Sequence, residues 1–373
     1  MKVGQKKYLV ASSVLIGSCI GAGVLGIPYV AAQTGFLVAL IYILLVGVLI
    51  LTVNLYLGEV VLRTKGDHQL IGYVEKYLGK KIKHVMEFAV IFGIYAGIVA
   101  YMLGMGTSLS YLIFGNSNYE IYFGILVGLG MAYLLRGGMK SLKRFEKYGV
   151  LIILSLLLFI IGIFLPEVVL SNLFGFNSLN VFLPFGVVLF ALMSFHAIPE
   201  IKIILKHNEY RFRNVIITGT IVSVLFYSLF TFVVVGFKGN VTPQVATLAL
   251  GGIFILLGIF TMFTSYLSSG NALRESFQFD ERLTRKKSWF LASIIPIGLF
   301  LLTQLTDFFS FTRILSFGGV IAGGTMAILI LLMVRKAKVC GDRNPEYTIK
   351  APWIFLAGLI LVFLLGVVRE LFV

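Results

Sequence analysis

The segment GSCIGAGVLGIPY, residues 17–29, interrupts the first long apolar run of the chain with four glycines and one proline. A glycine costs about 1 kcal/mol and a proline about 3 kcal/mol at an interior helical position, so this segment is a poor helix. In lipid, the backbone groups that such a break releases find no water, so they must face protein, a cavity or a ligand. The segment therefore predicts a membrane helix that is broken near the middle of the bilayer.

A second apolar run is interrupted in the same way. The segment LFALMSFHAIPEI, residues 189–201, carries Ser194, His196 and Pro199 near mid-depth. The two breaks lie five predicted spans apart, so they take corresponding places in two units of opposite orientation. Either break alone is equally well explained as a kink packed against neighbouring helices, because glycine and proline are common in membrane helices. Their matched positions favour a binding site.

The composition requires a lipid environment. Hydrophobic residues make up 59% of the 373 positions, charged residues make up 13%, and the mean hydropathy is +0.99. No soluble core hides that much apolar surface. Crossing about 30 Å of hydrocarbon takes about 20 helical residues, and eleven apolar runs meet this need. They are residues 8–33, 36–62, 84–114, 119–135, 148–165, 179–205, 214–237, 248–273, 288–304, 313–334 and 352–372.

These spans predict an all-α membrane protein with one transporter domain over residues 1–373. Residues 8–165 and 179–334 form a five-plus-five inverted repeat, and residues 352–372 form an eleventh helix. With the N-terminus in the cytoplasm, 28 of the 31 basic residues fall in inner segments, as the positive-inside rule requires. No signal-peptide cleavage site follows the first apolar run, so we expect the chain to keep this helix. The predicted location is the cell (plasma) membrane, with the C-terminus outside.

The chain direction gives the two sides of the breaks opposite polarity. The outer half of the first helix begins near Val24, so the amides of Ala22, Gly23 and Val24 should attract an anion. The half-helices that end near residues 18–20 and 190–193 expose carbonyl oxygens, which attract a cation. An anion niche beside a cation niche suits a zwitterion such as an α-amino acid.

The segments IGAGVLGIPYVAAQTG (20–35) and FALMSFHAIPEI (190–201) resemble those of the amino acid/auxin permease family. That family belongs to the amino acid-polyamine-organocation superfamily, which has the LeuT-type fold. The first helix is also similar to that of the bacterial aromatic amino acid permease family. The resemblance implies that the unwound first and sixth helices bind the substrate backbone. With the adjoining half-helix ends, the predicted substrate-binding residues are Ser18, Cys19, Gly21, Ala22, Gly23, Val24, Phe190, Met193, Ser194, Phe195 and His196.

The remaining residues favour a neutral substrate and transport over catalysis. No carboxylate falls at mid-depth to balance a basic side chain, and Phe190, Met193 and Phe195 suit an apolar or aromatic one. The chain lacks the HExxH motif of a membrane metalloprotease and the paired buried aspartates of an intramembrane protease. Its basic residues lie in short segments between apolar runs, which argues against a nucleic-acid partner. We therefore expect no enzyme and no cofactor other than a possible sodium ion.

The sequence leaves two hypotheses for the coupled ion, sodium and the proton. In sodium-coupled relatives the resemblance implies a cation between first-helix carbonyls, here Gly17 and Ile20, and eighth-span hydroxyls, here Thr264 and Ser265. Those hydroxyls can equally bond to carbonyls of their own helix. Some proton-coupled relatives instead use a lysine of the fifth helix, and Lys147 stands at the inner edge of that predicted span.

A separate proton route can run through His196, Glu59 or Glu200, since a histidine titrates near neutral pH. The sequence thus predicts a symporter-like secondary transporter of small neutral L-amino acids, working by alternating access and coupled to sodium or protons. An amino acid sensor or an uncoupled channel with the same pocket is the alternative.

Overall fold

A computed structural model of the chain describes residues 3–136, 155, 158–279, 282–306 and 309–372. All regular elements in these residues are helical. The α-helices, in chain order, are α1 (Val3–Cys19), α2 (Ala22–Thr34), α3 (Phe36–Arg63), α4 (Leu70–Leu78), α5 (Lys80–Phe114), α6 (Glu120–Arg136), α7 (Leu158–Glu167), α8 (Leu183–Leu192), α9 (Ala197–Ile204), α10 (Phe212–Lys238), α11 (Gly252–Phe279), α12 (Arg285–Gln304), α13 (Phe311–Phe317), α14 (Gly324–Cys340) and α15 (Trp353–Phe372).

Within the described residues, eight spans are long and apolar enough to cross a bilayer, and the bent pair α1 and α2 adds a ninth. Most of the predicted fifth span, 148–165, lies outside the described residues. The part of the chain that is described is therefore an all-helical, multi-pass membrane protein.

Glycines allow sharp turns at the ends of the long helices. Between α2 and α3, Gly35 has a φ of 104°, which side-chain-bearing residues rarely adopt. A methyl group on its Cα would lie 1.9 Å from the Gly175 carbonyl oxygen, so no side chain fits. Gly115 ends α5 in the left-handed conformation, and its N–H donates to the Tyr111 carbonyl.

The helices that carry the two breaks pack against each other. Helix α2 packs on α8, α1 packs on α9 and α10, and α3 contacts α8, α9 and α10. A second group contains α5, α6, α11 and α12, which pack on one another. Because α2 also contacts α5 and α11, the first break faces this second group.

The tenth predicted span contains a π-helix, Gly318–Gly323, between α13 and α14. This π-helix contacts α5 and α8. Its glycines allow a close approach: a methyl group on Gly319 would lie 2.2 Å from the Gly186 carbonyl oxygen. The π-helix therefore lies between α5 and α8, the helix that precedes the second break.

The buried carboxylate of Glu59 links α3, α14 and the chain that follows α14. Glu59 Oε1 lies 2.8 Å from an Arg63 guanidinium nitrogen and 2.6 Å from Lys338 Nζ, and Oε2 accepts the Ile349 N–H at 3.0 Å. A carboxylate with an exposed fraction of 0% needs such partners, because an unpaired buried charge is costly.

Candidate functional site

The first break separates α1 from α2 at Ile20 and Gly21, where the helix path bends by 52°. In a continuous helix the Gly21 amide would bond to the Gly17 carbonyl, but here it bonds to the Cys19 carbonyl at 3.0 Å. Gly21 has φ −132° and ψ −146°, and it has no side chain to cap the first turn of α2. The amides of Ala22 to Val24, predicted to attract an anion, therefore start at the break.

Two hydroxyl groups face Gly21 from the second helix group. A methyl group on the Gly21 Cα would lie 3.3 Å from the Tyr101 hydroxyl oxygen and 3.4 Å from Ser265 Oγ. Both hydroxyls can donate a hydrogen bond, and the N-terminus of α2 attracts negative charge. The corner formed by Gly21, Tyr101 and Ser265 therefore suits a carboxylate. Sequence reasoning named Ser265 as an ion-coupling residue and not as a substrate residue. It missed Tyr101, whose only local signal is its position as a tyrosine in the middle of an apolar span.

The second break leaves residues 193–196 between α8 and α9. Asn54 on α3 donates from Nδ2 to Ser194 Oγ at 3.0 Å, and both side chains are buried. Among the described residues, Asn54 Oδ1 has no hydrogen-bond partner. Sequence reasoning missed Asn54 as well, although an asparagine in a long apolar run is a usable signal.

Tyr227 on α10 joins the ends of the two half-helices. Its hydroxyl lies 2.6 Å from the Cys19 carbonyl oxygen and 3.0 Å from the Ala191 carbonyl oxygen. The sequence predicts that the carbonyl ends of these half-helices attract a cation. Each carbonyl oxygen has two lone pairs, so both can accept from the Tyr227 hydroxyl and still face a cation, as can the released carbonyl of Gly17. Tyr227 also has no sequence signal beyond its place in an apolar span.

Gly23 allows α2 to pack tightly on α8. A methyl group on its Cα would lie 2.5 Å from the Ala191 Cα, so the two backbones meet here. Ala22 and Val24 are buried on either side of it. Of the two predicted glycines, Gly21 faces the hydroxyl groups and Gly23 faces the neighbouring helix.

Phe190 and Met193 project from the end of α8 towards α5 and the π-helix. Phe190 Cζ lies 3.4 Å from the position of a methyl group on Gly97, and Met193 Sδ lies 3.1 Å from that on Gly323. Both side chains present apolar surface at the second break.

The other predicted substrate residues take different positions. Phe195 is fully buried in the core, whereas the His196 side chain is exposed where α9 begins. Ser18 Oγ donates to the Leu15 carbonyl of its own helix at 2.8 Å, and Cys19 is buried. Phe195 therefore packs in the core, and Ser18 forms a hydrogen bond within its own helix.

One predicted ion-coupling residue also bonds within its own helix. Thr264 Oγ1 donates to the Thr261 carbonyl at 2.9 Å. A hydroxyl that donates keeps its lone pairs, so this bond leaves Thr264 able to coordinate a cation. On α1, Ile20 is buried and the Gly17 carbonyl has lost its usual helical partner. Lys147 lies outside the described residues.

A model of the tryptophan/tyrosine permease family matches residues 4–373 of the chain. The chain belongs to this family. The match confirms the resemblance to amino acid permeases, and it falls on permeases of aromatic amino acids, the second of the two families that the sequence resembles.

Two bacterial transporters are similar in sequence to this permease. The tyrosine-specific transport system 1 of Haemophilus influenzae is 26% identical over 226 residues, which cover 59% of this chain and 56% of that protein. The chain thus matches little more than half the length of this relative. The glutamine transporter 2 of Aliivibrio fischeri is 23% identical over 287 residues, covering 72% of this chain and 74% of that protein. Both relatives are transporters and not enzymes.

The crystal structure of MhsT in complex with L-phenylalanine is similar in fold to this permease. The superposition covers 100% of this chain and 98% of MhsT, with a TM-score of 0.68 and 16% identity. The likeness shows a LeuT-type fold.

Proposed function

We propose that this permease is a symporter-like secondary transporter of neutral L-amino acids, including hydrophobic and aromatic ones, and that it works by alternating access in the cell membrane. The observation that carries the proposal is the corner at Gly21, where α2 begins beside the Tyr101 hydroxyl. A helix N-terminus and a phenol together suit the carboxylate that all α-amino acids share. The carbonyl ends of α1 and α8, which both face the Tyr227 hydroxyl, suit the ammonium group.

The side-chain class follows from the apolar surface at the second break and from the relatives. Phe190 and Met193 offer a substrate apolar contacts. The Haemophilus relative is named for tyrosine, the Aliivibrio relative for glutamine, and MhsT holds L-phenylalanine. All three amino acids have side chains without charge at neutral pH. These observations support a neutral substrate.

The proposed architecture has eleven spans, with residues 8–165 and 179–334 as inverted five-helix repeats and residues 352–372 as the last helix. Nine spans come from the long helices and the bent pair. Helix α6, with 17 residues, and α7, next to residues outside the described set, supply the other two. The placement of 28 of 31 basic residues on one side supports a cytoplasmic N-terminus and an outer C-terminus.

Transport against a gradient needs a coupled ion, and we keep both hypotheses. A sodium ion would take oxygen ligands from Gly17, Ile20, Thr264 and Ser265, and the released Gly17 carbonyl supports this site. A proton mechanism would place Lys147 at the same position, or would use a different route through His196, Glu59 or Glu200.

Purified protein in sealed vesicles tests the proposal. Vesicles loaded with unlabelled tryptophan should take up labelled tryptophan faster than empty vesicles, because a carrier exchanges its substrate. Tyrosine, phenylalanine and glutamine should compete for uptake, whereas lysine and glutamate should not. Binding without uptake would identify a sensor, and unsaturable flux would identify a channel; either result overturns the proposal.

A further inference from the structure

The Met193 side chain fills a slot beside the candidate site. Met193 lies in the break after α8, with an extended backbone at φ −66° and ψ 110°. Its Sδ lies 3.1 Å from the position of a methyl group on Gly323, and its Cε lies 3.9 Å from that on Gly93. One glycine ends the π-helix and the other belongs to α5, where Ala322 Cβ also lies 2.8 Å from the methyl position on Gly93. The thioether therefore packs mainly on the bare backbone at Gly323.

Contacts along α5 connect this slot with the corner at Gly21. The Tyr101 hydroxyl faces Gly21, and the Tyr101 ring lies 3.7 Å from the position of a methyl group on Gly97. Phe190 lies 3.4 Å from that same position. Gly93, which Met193 contacts, lies one turn of α5 before Gly97. A continuous row of contacts therefore runs from Gly21 through Tyr101 and Phe190 to Met193.

A hydrogen bond on the opposite side of the break holds the backbone that carries Met193. The next residue, Ser194, accepts a hydrogen bond from Asn54 of α3 at 3.0 Å. The Ser194 side chain thus faces α3 while the Met193 side chain faces α5 and the π-helix. An unbranched methionine can change its rotamer at low cost even when its backbone is held.

We infer that Met193 forms the floor of the pocket for the substrate side chain, and that the glycine at position 323 lets this floor withdraw to admit a large aromatic ring. The inference rests on the proposed function, since it assumes that an amino acid binds with its carboxylate at Gly21. Any side chain at 323 would push the thioether towards the corner and shorten the pocket. The pair Met193 and Gly323 then determines how large a substrate side chain is accepted.

The test compares tryptophan and leucine as competitors for a labelled amino acid on purified protein. Gly323→Ala should weaken tryptophan binding at least about tenfold relative to leucine, because a single methylene in an apolar pocket is worth about that much. Gly323 has φ −63° and ψ −43°, which alanine adopts without strain. Gly298→Ala on α12 is the matched control, because nothing lies within 4 Å of the added methyl group; it should leave the ratio unchanged.

A second variant distinguishes an effect on the pocket floor from a general disturbance of the fold. Met193→Ala shortens the displaced side chain, so adding it to Gly323→Ala should restore the tryptophan-to-leucine ratio. Met193→Ala alone should shift the ratio towards tryptophan. A ratio in Gly323→Ala equal to that of Gly298→Ala, or one that Met193→Ala does not reverse, would overturn the inference. If the unaltered protein binds no neutral amino acid, the proposed function itself fails.

Discussion

The hydroxyl oxygen of Tyr227 lies 2.6 Å from the carbonyl oxygen of Cys19, the last residue of α1. The same hydroxyl lies 3.0 Å from the carbonyl oxygen of Ala191 on α8. A hydroxyl has one proton, so two carbonyls from distant parts of the chain share a single donor. The Asn54 Oδ1 atom adds another buried acceptor near the second break. This surplus of acceptors makes the breaks favourable surroundings for an ammonium group.

Replacing Tyr227 with phenylalanine should lower the free energy of unfolding by about 1–3 kcal/mol, because buried carbonyls lose their donor. The melting temperature of the purified protein in detergent measures this loss. Tyr122→Phe on α6 is the matched control, since 71% of Tyr122 is exposed and its hydroxyl should add little. Equal melting temperatures for the two variants would contradict a stabilising role of the Tyr227 hydroxyl.

Valine at Gly21 and at Gly23 should have different effects. At Gly21 the side chain would enter the corner beside Tyr101 and Ser265, so amino acid binding should fall while the protein stays folded. At Gly23 it would collide with the Ala191 backbone, so the melting temperature should fall as well. Binding titrations and thermal unfolding of both variants check this difference. Unchanged affinity in folded Gly21→Val would refute the proposed carboxylate position.

Tyr101→Phe should weaken amino acid binding about tenfold or more. A hydrogen bond to a charged group contributes about 1.5–3 kcal/mol, and each 1.4 kcal/mol is a factor of ten. Tryptamine, which lacks the carboxylate, is the control ligand, and its affinity should be equal in the variant and the unaltered protein. A parallel loss for tryptophan and tryptamine would show that Tyr101 acts through some other contact.

If the Thr264 hydroxyl is a ligand of a bound sodium ion, Thr264→Ala should abolish sodium-driven uptake while the protein still binds its substrate. Thr261→Ala is the control, because its hydroxyl also bonds back to its own helix, at 2.9 Å from the Leu257 carbonyl. If protons drive transport, uptake should follow a pH gradient without sodium, and both threonine variants should keep that response. Lys147→Ala should then remove the pH response only if that lysine occupies the ion position. Sodium-independent uptake by the unaltered protein would rule out the sodium hypothesis.

Cysteine labelling should show Lys286 on the cytoplasmic side and Lys238 on the outer side, because the basic residues concentrate on one face. The experiment needs a Cys340→Ser background, since Cys340 is exposed, whereas Cys19 is buried. Each position is replaced by cysteine in turn and treated with a reagent that cannot cross the membrane. Labelling of both positions from the same side would contradict the proposed eleven spans.

The sequence alone was sufficient to predict a multi-pass helical membrane protein and an amino acid permease. Both conclusions depend on local properties: the apolar runs are long enough to cross lipid, and the two Gly/Pro-containing segments are poor helices wherever they lie. The helical interruptions at Ile20–Gly21 and at 193–196 lie within the two quoted segments, because backbone propensity acts at the residues that carry it.

The partners of those segments could be identified only from the tertiary structure. Tyr101, Asn54 and Tyr227 each lie in an apolar span far along the chain from the groups they face. Helix periodicity does not show which face of one span meets a given turn of another. The different surroundings of Gly21 and Gly23 have the same origin. In the sequence they are two similar glycines, but packing of α2 on α8 presses one against Ala191 and leaves the other facing two hydroxyl groups.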